Sequence, residues 1–222
     1  MKYIALGNGR LSSTRLKNKL LLPYAETSLA EIAIKKISNL KNFDNIYYAV
    51  NDNQLIDLCK KYLSNSSIII RDKHSSNANS PITLIHNYLK DIDFNYCMWI
   101  NSCHALLKPE TIDTAIDFFK KNNFNAMTAV IKKKTWYYDD NKLPINDKDP
   151  RKQILTQDSS VVYEVVHAFH IFNKNHLFTT DTYWNNKLND PYLYEIDPIE
   201  SLDVDTLNEF TISETVYKKL IK

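Results

Sequence analysis

Five short, almost continuously apolar runs, at 3–6, 46–50, 67–70, 96–100 and 126–131, alternate along this chain with stretches of helical period. A strand that is apolar at nearly every residue has to be covered on both faces. The intervening segments can supply that cover, with helices predicted over 28–40, 53–63, 82–90 and 109–122. Ser28 followed by Glu31 forms a capping box at the first. Pro109 and Glu110 suit the start of the last. This β-α-β-α order predicts a three-layer, Rossmann-like α/β fold with a mainly parallel sheet. The alternation breaks near residue 132. Residues 136–144 (WYYDDNKLP) read as a hairpin tip whose turn is made by Asp and Asn. Strands are expected again at 161–166 and 168–172, and a final helix from Leu207. The length fits one domain over 1–222, with 132–166 as a small β-rich insertion.

Composition narrows the function classes. The formal net charge is only +2, so no global field points to nucleic acid, and Lys132, Lys133 and Lys134 read as a solvated face. Three cysteines, Cys59, Cys97 and Cys103, form no CxxC pair and read as reduced thiols. No apolar run approaches the roughly 18 residues of a membrane span, and Met1–Leu6 is too short for a signal peptide. A soluble, cytoplasmic protein is the expectation.

Glycine is the next constraint. There are two in 222 residues, Gly7 and Gly9, where average usage would give about 15. Both follow the first strand, which predicts a backbone with positive φ or one that a ligand approaches closely. Arg10, Ser12, Ser13, Thr14, Arg15, Lys17 and Lys19 come next. Arginines fork onto phosphate oxygens and lysine adds a mobile point charge, so this is an anion loop suited to a polyphosphate. The Walker pattern is absent, and Ser12 stands where a dinucleotide fingerprint needs its third glycine.

Far along the chain, Asp203 and Asp205 are separated by one residue. On an extended segment two such carboxylates point the same way. Hard oxygen ligands in that number suit Mg²⁺, which completes its shell with water and phosphate oxygens. His104 follows a predicted sheet strand, where such folds bind ligands, and is read as an acceptor contact. His167 and His170 alternate with apolar residues and are read as structural.

These elements resemble the acylneuraminate cytidylyltransferases, which make CMP-sialic acid, and their relatives the CMP-Kdo synthetases. The N-terminal motif A-R-x-x-S-x-R/G-x-P-x-K is matched in register by Arg10, Ser13, Arg15 and Lys19. Residues 201–210 (SLDVDTLNEF) are close to the family's I-D-I-D-T-P-E-D-F, Thr156-Gln157-Asp158 to its R-Q-D, and 101–107 fill the place of its Q-P-T-S-P-L loop. The resemblance implies transfer of CMP from CTP to an acidic sugar with release of pyrophosphate, a step toward surface polysaccharide. It implies nucleotide contacts at Leu6, Gly7, Gly9, Arg10, Ser13, Arg15, Lys19, Arg71 and Ser80, the last two flanking a nucleotide-contacting segment at 75–80. Acceptor contacts are implied at Asn101, His104 and Gln157, and Mg²⁺ on Asp203 and Asp205. Arg10, Lys19 and Asp205 would carry catalysis, and the aromatic insertion around Trp136, Tyr137 and Tyr138 would pair two subunits in a homodimer.

The chain departs from the pattern at Thr14, Lys17 and Leu20, and at Val166-His167, where the family has N-G. Most changes crowd the acceptor side. Kdo, or a small molecule bearing a phosphate or phosphonate, is therefore an alternative acceptor to a sialic-acid-like nonulosonic acid. A glycosyltransferase would carry its D-x-D mid-chain and lack the basic glycine loop. A non-catalytic nucleotide-sugar-binding homologue is the remaining alternative, opposed by the retention of Arg10, Lys19 and both aspartates.

Overall fold

The computed structural model describes residues 1–72, 75, 80–149, 151 and 155–220. In chain order the elements are β1 (Tyr3–Asn8), α1 (Leu29–Ser38), β2 (Asn45–Val50), α2 (Asn53–Cys59), β3 (Ile68–Ile70), α3 (Ile82–Ile85), β4 (Tyr96–Ile100), α4 (Pro109–Asn122), β5 (Met127–Lys134), β6 (Val161–Asn173), α5 (Lys174–Thr180), β7 (Tyr192–Glu195) and α6 (Leu207–Leu220). The strands form one sheet in the order β3-β2-β1-β4-β6-β5-β7. All neighbouring pairs are parallel except those made by β6, which is antiparallel to β4 and β5.

Both faces of the sheet are buried, which is why its strands read as continuous apolar runs. Along β1 the pleat sends Ala5 into a core shared with α1, α2, α4 and α6, while Ile4 and Leu6 enter a second core with Leu89, Phe94 and Leu177. Helix α1 begins at Ser28, whose hydroxyl accepts from the Glu31 amide at 3.2 Å. The Glu31 carboxylate turns outward to Lys35 (2.7 Å) and Tyr62 (2.6 Å).

The glycines have a different reason from the expected one. Neither has positive φ. A Cβ on Gly7 would lie 2.2 Å from Ile37 Cδ1 and 2.6 Å from the Tyr48 ring, so this residue lets α1 seat against the sheet. A Cβ on Gly9 would meet Leu20 and Leu55 methyls at 3.2 Å. The constraint is core packing, and the left-handed turns fall to other residues, Asn18 (φ 54°) and His167 (φ 53°) among them.

The two strands expected at 161–166 and 168–172 are one thirteen-residue strand, β6, with His167 inside it. The register between β5 and β6 shifts between Thr128 and Val130, as a bulge requires. Past Val130, which still pairs with Glu195 of β7, β5 and β6 pair only with each other among the described residues, as a two-stranded ribbon from Ile131–Glu164 to Lys134–Val161. The hairpin at 136–144 is closed by a Tyr138–Pro144 bridge. Asp139 accepts there from the Asn141 and Leu143 amides, each at 2.9 Å. Among the described residues no helix is long and apolar enough to cross a membrane.

Candidate active site

The C-terminal ends of β1, β3 and β4, with the bulge of β6, surround a cleft of about 470 Å³. Strand order reverses between β1 and β4, and open α/β sheets bind ligands at such a switch point. The loop leaving β1 forms one side and contributes Gly9, Arg10, Ser13, Thr14, Arg15 and Lys19. It is pinned by the Leu11 amide, which donates to Asp52 Oδ2 (3.0 Å), and by the Gly9 amide, which donates to the Ala49 carbonyl (3.0 Å). It closes in a 3-10 turn at Lys19–Leu21, entered through left-handed Asn18.

Asp203 and Asp205 face this loop. They lie in the irregular segment before α6 rather than on a strand. Lys19 Nζ donates to Asp205 Oδ1 at 2.6 Å and to the Val204 carbonyl at 2.7 Å, and Arg15 Nη2 lies 2.8 Å from Asp205 Oδ2. A carboxylate 186 residues away in sequence thus joins the two cations of the loop. Burial pulls the Lys19 pKa down, but Cys103 and Asp205 beside it more than offset this and leave it raised. Asp203 is pushed up to about 6, first by burial and then by the neighbouring Asp205 charge, against the pull of Lys19. Its Oδ1 accepts from the Val204 amide at 2.8 Å. Helix α6 does not need either aspartate as its cap. Thr206 and Glu209 close a reciprocal capping box there, with the Thr206 amide donating to Glu209 Oε2 at 2.7 Å and the Glu209 amide to Thr206 Oγ1 at 3.3 Å.

Arg71, at the end of β3, also lines the cleft. It is buried, its Nη2 donates to the Ser75 carbonyl, and its Nε has no partner among the described residues. Burial pulls its pKa down. Asn101 lines the cleft from the turn after β4, where its Oδ1 accepts from the Cys103 amide at 3.0 Å. Ser102 ties that turn to β1, donating to the Asn8 carbonyl at 2.6 Å.

Other expected site residues lie elsewhere. Leu6 and Gly7 are core, with no surface on the cleft. Ser80 is not on the cleft wall, and residues 76–79 of the expected nucleotide-contacting segment lie outside the described residues. Gln157 sits in an exposed 3-10 turn, where its carbonyl accepts from Lys134 Nζ at 2.8 Å, and it does not line the cleft. His104 is completely buried behind the wall, 3.7 Å from Asp203 Oδ1, with neither ring nitrogen hydrogen-bonded among the described residues. Burial, with Lys36 beside it, drives its pKa down to about 3. Lys36 Nζ donates to the His104 carbonyl at 2.5 Å, and burial lowers that lysine to about 7. His104 is therefore part of the cleft's backing.

What the sequence assigned to structure stands in its place. His167 lines the cleft, with His86, Trp99 and Tyr183. The available signal was the histidine in place of the N-G glycine, since a residue at a left-handed bulge has its side chain re-aimed.

The sequence profile of the family described as cytidylyltransferase matches residues 5–219. The chain belongs to the cytidylyltransferase family. It is 27% identical over 133 residues to an uncharacterised Methanocaldococcus jannaschii protein, covering 58% of this chain and 52% of that one. It is 27% identical over 127 residues to the 3-deoxy-manno-octulosonate cytidylyltransferase of Rickettsia felis, covering 55% and 49%. The chain thus spans about half the length of these curated relatives. Among solved structures, the CMP:2-keto-3-deoxy-manno-octonic acid synthetase complexed with CTP superposes with a TM-score of 0.70 at 9% identity, covering 99% of this chain and 100% of that one. The 4-diphosphocytidyl-2C-methyl-D-erythritol synthase of Anaerococcus prevotii gives 0.69 at 12%, covering 98% and 96%. At such identities the likeness is one of fold, and it agrees with the three-layer α/β architecture expected from the sequence.

Proposed function

We propose that this cytidylyltransferase-family chain transfers CMP from CTP to the anomeric hydroxyl of an acidic sugar and releases pyrophosphate. The supporting observation is the juxtaposition of Arg10, Arg15 and Lys19 with Asp203 and Asp205 across one cleft. In the reaction the sugar oxygen bonds to the α-phosphorus, the bond from that phosphorus to the bridging oxygen of the β-phosphate breaks, and the hydroxyl proton is released. There is little covalent work for the protein to do. Its contribution is alignment and the neutralisation of charge that gathers on the leaving pyrophosphate. Arg10, Arg15 and Lys19, with Ser13, would hold the triphosphate. Arriving phosphates compete with Asp205 for Lys19 and Arg15, which frees carboxylate oxygen at the moment the nucleotide binds.

Asp203 and Asp205 suit Mg²⁺. Among the described residues no set of three or more His, Cys, Asp or Glu could hold a metal ion. Two carboxylates beside a phosphate site is nevertheless the usual protein share for Mg²⁺. Burial and the neighbouring Asp205 charge raise the Asp203 pKa, and a cation between the two carboxylates would relieve that repulsion. When bound, the ion would neutralise phosphate charge and polarise the α-phosphate.

A sialic-acid-like nonulosonic acid is the first acceptor in this reading. Kdo is the second, favoured by the relative from Rickettsia felis. The ribbon of β5 and β6 exposes Val161, Tyr163 and Val165 on one face, and the hairpin adds exposed Tyr138, Leu143 and Ile145. An apolar strip of this kind fits pairing of two copies, and a monomer by light scattering at micromolar concentration would dismiss that pairing. Because CTP is a cytosolic nucleotide, we place the reaction in the cytoplasm. Pyrophosphate release with CTP and each acid tests the function, and its absence with CTP still bound would favour a non-catalytic binding homologue.

A further inference from the structure

On the β3 side of the cleft, three consecutive residues after α3 each make a different contact. The helix breaks at His86 (φ −108°, ψ 20°), and a 3-10 turn follows at Asn87–Leu89. His86 is buried against Phe172 (ring centroids 5.6 Å), and its Nε2 lies 2.7 Å from Tyr183 Oη. Asn87 Nδ2 donates to Asp72 Oδ2 at 2.8 Å. Tyr88 Oη lies 3.3 Å from His86 Nδ1, and its ring carries the Arg71 guanidinium, whose Cζ is 5.8 Å from the centroid. Burial, and then the Arg71 charge, lowers the His86 pKa to about 3, so its ring is neutral, with one nitrogen donating and the other accepting. One tyrosine hydroxyl therefore donates to His86 and the other accepts from it, which orients both phenol rings.

Arg71 is the residue that this arrangement serves. Its backbone is set by the sheet, the amide extending the β2–β3 ladder to the Val50 carbonyl at 2.8 Å. Its side chain is a buried cation that Arg10 repels, and its Nη2 donates to the Ser75 carbonyl. An aromatic face attracts such a cation, most strongly where water is excluded. The same segment secures the neighbouring turn. Asp72 Oδ1 accepts from the Ser75 amide at 2.7 Å while Asn87 holds its Oδ2. We propose that Tyr88 is a positioning residue, which holds the Arg71 guanidinium at the cleft as a contact for nucleotide oxygen, and that His86 and Tyr183 fix Tyr88 in turn. This rests on the cytidylyl-transfer reading above, with Arg71 among its nucleotide contacts. The Arg71 Nε is a buried donor without a partner among the described residues, and a bound oxygen would satisfy it.

The test is a double-mutant cycle on CTP binding, read by calorimetry without acceptor, with urea midpoints measured alongside. Arg71→Met and Tyr88→Leu should each raise the Kd for CTP, Tyr88→Leu by about tenfold. In the Arg71→Met background, Tyr88→Leu should add less than about twofold, because the cation that it positions is gone. Tyr88→Phe keeps the ring face and should stay within about threefold of wild type. Unchanged affinity in Tyr88→Leu, or an equal loss in both backgrounds, would make Tyr88 a structural residue only. A loss in Tyr88→Phe as large as that in Tyr88→Leu would overturn support by the ring face. If Tyr88→Leu does not fold, Tyr88→Met takes its place in the cycle with the same outcomes. If wild type binds CTP and Arg71→Met binds it equally well, the proposal falls while cytidylyl transfer stands. If wild type does not bind CTP, the reading beneath the proposal fails.

Discussion

Replacing Gly7 by alanine should destabilise the fold without touching the cleft. The added Cβ would sit 2.2 Å from Ile37 Cδ1, and 2.6 and 2.7 Å from Tyr48 Cδ2 and Cε2. Ordinary carbon contacts lie at about 3.5–4.0 Å, so the overlap exceeds an ångström at Ile37 and is close to an ångström at Tyr48. Overpacking of this kind costs roughly 1–3 kcal/mol or more. Tyr48 cannot swing away freely, because its hydroxyl is 2.8 Å from Ser102 Oγ in a buried pair. The counterpart is Ile37→Val, which deletes the offending Cδ1 and by itself costs about 0.5–1.5 kcal/mol. In the double variant the alanine methyl fills the vacated space. The two effects should then fall short of additivity by about 1 kcal/mol, with the Tyr48 overlap remaining. Urea denaturation of the four proteins reads the cycle, and CTP binding is measured alongside. Additive costs would refute the contact with Ile37. Wild-type stability in Gly7→Ala with CTP binding lost would show that the glycine admits a ligand after all.

Lys19→Ala should lower turnover by the equivalent of about 2–4 kcal/mol in transition-state stabilisation. It should also lower the thermal midpoint, because Lys19 Nζ bridges Asp205 and the Val204 carbonyl; near-normal kcat/KM would end the phosphate role. Asp205→Asn should abolish turnover while reducing CTP affinity less, with α6 intact because Thr206 caps it. If its activity per folded molecule is unchanged, the aspartate is structural. His170 is held neutral, with its pKa lowered to about 3 by burial and nearby histidines, so the native state binds fewer protons than the unfolded chain between that value and about 6.5. Its contribution to stability is complete above about pH 6.5 and should be lost as pH falls below it, by about 1.4 kcal/mol at pH 5.5. Denaturation of wild type and His170→Asn at pH 7.5 and 5.5 checks this, and equal pH dependence would contradict it.

The central strands were legible because burial on both faces leaves an apolar run that has no other explanation. The run at 96–100 is β4 residue for residue, and Pro109 marks the start of α4. Two elements were missed. β7 is a four-residue edge strand of alternating exposure, and α5 buries only Leu177 of its seven residues, so neither carries a sustained pattern. The helix expected over 82–90 divides into Ile82–Ile85 and a 3-10 turn at Asn87–Leu89. The cations and aspartates of the cleft could be read from charge and spacing. Its aromatic wall could not, since it depends on cross-strand register and on a left-handed His167 that no local pattern announces. His104 was misplaced for a related reason. Position after a strand end says that a residue is near the cleft, but the turn sends this ring inward.

The most direct measurement is pyrophosphate release by the wild-type chain across CTP, UTP, ATP and GTP. Each is paired with N-acetylneuraminate, 3-deoxy-manno-octulosonate and a phosphonate acceptor, with and without Mg²⁺. The expected result is release with CTP and one of the two sugar acids, dependent on Mg²⁺ and absent in Asp205→Asn. Release with a purine nucleotide in preference to CTP, or none with any pairing from folded protein, would contradict cytidylyl transfer by this cleft.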